Sequence, residues 1–301
     1  MKGFTDPATD AYLEHVGARS VMAPKTSVAV KIALGAQHAS GDILVLLNDD
    51  DRFAPNRLRA AIEAFRSDPK LGLLRSQPVF IGPEGRPTER SPFRGPGTLQ
   101  WREPRPLLIE TPHRQDGMGR LSTQRPDFND SSMAIRRDLV ERAAPYLLRL
   151  RGRSDTLLFY AAVCSEYSVL VDSRRLTQYR VHEGNTSLPG AGSSEEQLRR
   201  IVNYARQMLP DYYVIREFVE RSGYPFALRF IDARIAMVRL TIACREPDSR
   251  RPDLLRSLKE VAGYWDTFPV REDLPGVLGA ALFVVSPPLG RRLYQHRLGV
   301  R

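Results

Sequence analysis

Three carboxylates, Asp49, Asp50 and Asp51, follow Asn48 at the end of the apolar run 43–47. Adjacent carboxylates repel one another, and a buried segment feeding straight into them makes that repulsion costly unless something offsets it. Hard oxygen ligands at this density suit a divalent cation such as Mg²⁺ or Mn²⁺. Such an ion keeps several waters and takes further ligands from a substrate diphosphate. The competing reading is a solvated turn capping the helix that Pro55 can open. The apolar run favours a site, because ligands of open α/β sheets bind beyond the carboxyl ends of the parallel strands.

The elements that must position this cluster follow from periodicity. Ala29, Ile32, Ala33, Ala36 and Ala39 recur at helical spacing, and Gly41 ends that helix. The unalternating run 42–47 predicts a buried parallel strand covered on both faces. Beyond Pro55, Leu58, Ala61, Ile62 and Phe65 predict the apolar stripe of a second helix, closed by Asp68-Pro69. Residues 71–82 supply another strand. Helix, strand, helix, strand is the rhythm of an α/β sheet with crossover connections.

Between 83 and about 127 the pattern dissolves into a Pro-, Arg- and Gly-rich stretch, the kind of long insertion that more often serves function than packing. Helical patterns return at 131–150 and 154–166, and strands at 167–172 and 175–181. Beyond 193 the chain reads as helices at 194–208, 211–222, 225–245 and 252–265, with a last apolar piece from 276. The linker-like segment 188–194 places a domain boundary near 190. The expectation is a domain over 1–190 and a helical extension over 191–301.

Composition bounds the function classes. A chain of 301 residues that is 42% hydrophobic and 27% charged is an ordinary globular protein. Its formal charge of +10 fits a polyanionic partner, whether nucleic acid, an anionic membrane surface or a phosphorylated small molecule. No nucleic-acid motif and no basic patch interleaved with aromatics is present, so no nucleic-acid partner is expected. Cys164 and Cys244 have no metal-ligand spacing and predict neither zinc site nor disulfide framework; a reducing cytoplasm is the default. The longest apolar stretch, 277–285, falls far short of the roughly 20 residues that span a bilayer.

The segment "HASGDILVLLNDDDRFAPNRL" (38–58) resembles the core of a family 2 glycosyltransferase of the glycosyltransferase A-type fold. It carries Ala39-Ser40-Gly41-Asp42, an apolar strand, the acidic motif and Pro55. "DSSMAIRRDLV" (130–140) is similar to the segment after that family's acceptor loop, and "SDTLLFYAAV" (154–163) to the helix bearing its catalytic carboxylate. "LTQYRVHEGNTS" (176–187) resembles the segment that ends many such domains. The four matches stand in family order and span roughly residues 3–190.

The resemblance implies a nucleotide-diphospho-sugar transferase-like α/β fold, a nucleotide-sugar donor, a Mn²⁺ or Mg²⁺ ion, and transfer to a glycan or lipid-linked acceptor with inversion. Asp50 falls on the metal ligand, with Asp51 its neighbour and His182 completing the metal's shell or touching the diphosphate. Asn48, Asp49, Lys31 and Arg180 fall on the donor side. Asn48 stands where the family usually has Asp, and Arg180 is either a phosphate partner or a surface strand residue. Asp155 matches the general base; its plain alternative is an N-cap for a helix over 156–164. A catalytically inactive remnant acting as a binding or partner subunit is the alternative function.

The family's opening β-α-β unit, which binds the base and ribose, has no counterpart here beyond Gly3-Phe4-Thr5-Asp6. A misplaced start, a real loss, or a strand supplied by a partner chain would each account for that. The C-terminal helices either pack on the sheet, the favoured reading, or rest peripherally on anionic lipid at the inner face of a membrane. Asn185-Thr186-Ser187 matches a glycosylation sequon by accident in a cytoplasmic protein.

Overall fold

The computed structural model describes residues 7–23, 27–88, 106–122, 127–182, 194–245, 251–267 and 274–286. Strands β1 (Ile43–Val45), β2 (Arg52–Phe53), β3 (Leu71–Ile81), β4 (Leu107–Ile109), β5 (Met133–Arg136) and β6 (Ser168–Arg180) form one mixed sheet. Its order is β1-β5-β3-β6-β2, with β4 also paired to β6. Only β3 and β6 run parallel; the other pairs are antiparallel. The helices are α1 (Pro7–His15), α2 (Val28–His38), α3 (Arg57–Ser67), α4 (Gln115–Ser122), α5 (Arg137–Leu147), α6 (Ser154–Val163), α7 (Ser194–Ser222), α8 (Pro225–Arg245), α9 (Arg251–Ala262) and α10 (Leu274–Val285).

β3 is almost wholly buried because both faces of the sheet are covered. Leu73 joins the large core built with α5, α6, α7 and α8, while Leu71 and Leu74 join Ala61 and Phe65 of α3. Gly72 permits the close approach of Tyr167, whose Cβ lies 2.4 Å from where a Cβ at 72 would stand.

Several expectations are corrected by this packing. β1 is a three-residue strand at the sheet edge among the described residues, antiparallel to β5 rather than parallel. Its run is apolar because Leu44 and Leu46 pack on the large core while Ile43 and Val45 pack on the α3 side. Residues 133–136 form β5, inserted between β1 and β3, where the sequence reads as continuous helix. In α3 the stripe is rotated: Ala60, Ala61 and Phe65 are buried, whereas Leu58 and Ile62 are 54% and 52% exposed. Residues 167–181 read as two strands, but β6 is one strand with register shifts opposite Ser76 and Gln77. There Asp172 turns to bind Arg174 at 2.7 Å.

The helical half follows the same logic. α7 runs unbroken through Pro210, where the sequence predicts a break. Packing of Ala205, Tyr212, Ile215, Phe218 and Val219 into the large core outweighs one missing amide donor. The stripe predicted in α8 faces that same core, with Ile231, Ile235 and Val238 buried in it. One apolar interior therefore spans the sheet and α5 to α8. Residues 183–193, which hold the expected boundary and the sequon, lie outside the described residues, as does most of the insertion (89–105 and 123–126). No helix among the described residues is long and apolar enough to cross a membrane. Cys164 is buried and Cys244 half-buried.

Candidate active site

The acidic motif leaves the sheet edge as a turn. Asn48 donates its main-chain amide to Ser131 Oγ at 2.9 Å, and its carbonyl accepts the Asp51 amide at 3.3 Å. The turn sends the three carboxylates different ways. Asp49 is exposed, Asp50 is half-buried, and Asp51 is only 7% exposed. Asp51 accepts the Arg180 amide at 2.9 Å through Oδ1 and the Asn129 side-chain amide at 3.3 Å through Oδ2. Burial raises its pKa, and these hydrogen bonds pull the other way.

The end of β6 meets this turn. Arg180 donates from Nε to the Asp50 carbonyl at 2.8 Å and from Nη1 to the carbonyls of Gly82 and Pro83 at 3.2 and 2.5 Å. Its guanidinium thus braces the acidic turn and is not a bare surface strand residue. Two residues on, His182 Nε2 lies 3.2 Å from Asp50 Oδ2, and both side chains are about a third exposed.

Asp155 approaches from the other side. α6 starts at Ser154 with Arg153 as its cap residue, so Asp155 sits in the first turn and is not the N-cap. Its Oδ2 accepts the Asn129 main-chain amide at 3.0 Å and its Oδ1 the Thr156 amide at 2.8 Å. The residue remains partly open to solvent. Burial raises its pKa, against the lowering effect of Arg153, and Asp127 adds to the rise. Its neighbour Asp130 is buried, takes the Ser154 hydroxyl at 2.9 Å, and leaves Oδ1 without a partner. Desolvation, with Asp155 nearby, pushes Asp130 up to about 8.

Asn129 is the meeting point. It adopts φ 64°, one of two non-glycine residues with positive φ among the described residues. That conformation aims its amide at Asp155, while its side chain reaches Asp51, the Ser131 amide at 2.9 Å and the Asn48 side chain at 3.4 Å. The second positive-φ residue, Arg153, stands two before Asp155 on a loop gripped by α7. Asp211 accepts the amides of Arg151 and Gly152 at 3.1 and 2.8 Å, and the Arg153 guanidinium stacks on Tyr204 and Tyr212.

The fold therefore brings Asp50, Asp51, Arg180, His182 and, through Asn129, Asp155 to one rim. Lys31, Asn48 and Asp49 instead line a neighbouring groove of about 450 Å³ between α2 and β1. Among the described residues, no group of three or more His, Cys, Asp and Glu side chains is arranged to hold a metal ion. Asp50 and His182 offer two adjacent donors, a set suited to an ion that also draws on waters and substrate phosphates. Asp51 is already engaged on both oxygens and supports the turn.

Sequence reasoning missed Asn129, Asp130, Ser131 and Asp211. The first three form a polar run just before a strand, which is a visible signal. Asp211 carries no such mark, because its role depends on how α7 docks.

Residues 14–143 match the model of glycosyl transferase family 2. That segment is similar to the family 2 glycosyltransferases. The matched stretch holds the acidic motif, Asn129 and β5, and the mixed sheet flanked by helices fits an α/β nucleotide-sugar transferase fold. The crystal structure of residues 1–349 of S. aureus TarS in complex with UDP-GlcNAc is similar with a TM-score of 0.43 and 11% identity, over 87% of this chain and 77% of that one. No curated protein matches the chain.

Proposed function

We propose that this glycosyltransferase takes a sugar from a nucleotide-sugar donor and passes it to an acceptor hydroxyl with inversion, Asp155 acting as general base. The observation that supports this reading is the shared tether: the acidic turn and Asp155 are both hydrogen-bonded to Asn129. A donor-side turn and a base must face one reacting centre, and one intervening residue keeps them that close.

In this reading Asp155 accepts the proton from the acceptor hydroxyl as its oxygen attacks the anomeric carbon and the bond to the diphosphate breaks. A carboxylate with a raised pKa is a better base than an ordinary one. Asp50 and His182 would hold the Mn²⁺ or Mg²⁺ ion, which when bound offsets charge on the leaving diphosphate. Asp51 and Arg180 keep the turn in place, and Lys31, Asn48 and Asp49 face the donor from the groove. The acceptor is a glycan or lipid-linked hydroxyl.

Thermal unfolding against UDP-, GDP- and dTDP-sugars, with and without Mn²⁺, tests the donor half. Ligands that bind only the folded state raise the melting temperature by mass action. A metal-dependent rise with one nucleotide-sugar, lost in Asp50→Ala, is expected. No rise with any donor would favour an inactive remnant serving as a partner subunit.

A further inference from the structure

We infer that Asn129 is a positioning residue that sets the distance between the donor-side acidic turn and Asp155 through two separable parts, its side chain and its backbone conformation. The inference rests on the transfer reading above and deepens it. Asn129 is 5% exposed and satisfies four neighbours at once. Its carboxamide supplies a donor to Asp51 and an acceptor to Ser131 and Asn48, so it governs the acidic turn. Its main-chain amide governs Asp155, and points there because φ is 64°.

With ψ at 112° the residue lies outside the left-handed helical well, so any side chain is strained there and a β-branched one most. A carboxylate in its place would still accept from Ser131 but would meet Asp51 with like charge. Glycine would keep the backbone and discard every side-chain bond. The asparagine is thus held by its side-chain bonds at a backbone position that by itself favours glycine.

The two parts make different kinetic predictions. Asn129→Gly keeps the amide on Asp155 and releases the turn, so donor KM should rise about tenfold, roughly one hydrogen bond's worth, with kcat nearly unchanged. Asn129→Val, and Asn129→Ala more mildly, lose the same side-chain bonds and should show the donor KM rise of Asn129→Gly with a fall in kcat added to it. Asn129→Asp should show the Asn129→Gly defect in stronger form. If every variant moves kcat and KM together in step with its loss of melting temperature, Asn129 is only a buried structural asparagine and the inference falls.

Melting temperatures give a second readout that needs no turnover. Shifts for Asn129→Gly with Asp51→Asn, and for Asn129→Val with Asp155→Asn, should fail to add. Coupled shifts in a wild type that transfers no sugar would keep the strut and sink the transfer reading. Additive shifts would sink the strut whether or not sugar is transferred.

Discussion

Asp211 on α7 accepts the Gly152 amide at 2.8 Å, three residues before Asp155. The loop that presents the proposed base is therefore anchored from a helix far along the chain. Asp211→Ala would remove the carboxylate to which the Arg151 and Gly152 amides donate, at a cost of about 1.5–3 kcal/mol, the range for a hydrogen bond to a charged group. Chemical denaturation should show that loss, and transfer should fall further than stability predicts, because Asp155 loses its footing.

Asp155→Asn should cut kcat by about 10²- to 10⁴-fold, the range for a positioned base, while a donor-induced melting shift survives. Its raised pKa places the acid limb of the rate profile above the 3.8 of an unperturbed aspartate. A limb at or below that value would remove Asp155 from the role.

Asp130 makes stability itself pH-dependent. Its folded pKa of about 8 lies above the 3.8 of the unfolded chain, so the folded state binds the extra proton between those values. The stabilisation is complete below 3.8 and is lost as pH rises through about 8. Melting temperature should fall from pH 5 to 8 on the order of a few degrees, and Asp130→Asn should flatten part of that slope. Asp51, Asp155 and Asp211, all shifted the same way, contribute to the remaining slope.

Arg57 is fully buried with three side-chain nitrogens lacking partners, and burial lowers its pKa to about 10. Asp172 keeps Arg174 if Arg57 is removed, so no charge is orphaned. Arg57→Met should be neutral or stabilising by about 1–3 kcal/mol. A marked fall in melting temperature would show that the guanidinium has a structural task.

Gly72→Ala tests the packing of the central strand. A Cβ there would stand 2.4 Å from Tyr167 Cβ and 3.1 Å from Leu139 Cδ1, neither at the tip of a long flexible chain. Destabilisation of about 1–3 kcal/mol is expected from overpacking, measured by denaturant midpoint.

The sequence made some of this legible and hid the rest for physical reasons. The acidic turn, β3, α2 and α8 were readable because their signals are local: a charge run, an apolar run, a helical period. β5 was hidden because Met133-Ala134-Ile135 is apolar on both faces, a pattern shared by buried helix and buried strand. α3's true face was hidden because Leu58 and Ile62 are apolar yet point outward, while the buried Arg57 is not. At the proposed site, Asp50, His182 and Asp155 are marked by residue type within a recognisable motif. Asn129 acts on Asp155 through its own main-chain amide and Asp211 through the amides of Arg151 and Gly152, and the docking that brings these groups within reach cannot be read from a local window.

The common interior of the sheet and α5 to α8 has a consequence for how this molecule comes apart. Ile215, Phe218, Phe230 and Ile231 are walls of the same room as Leu73, Ile135 and Leu157. A cut within 183–193 would not free a catalytic half; it would strip one side of the room and leave the other facing water. Heating should accordingly melt the sheet and these helices in a single cooperative step, with calorimetric and van't Hoff enthalpies in agreement. What reads as an appendage in the sequence behaves, thermodynamically, as half of the wall.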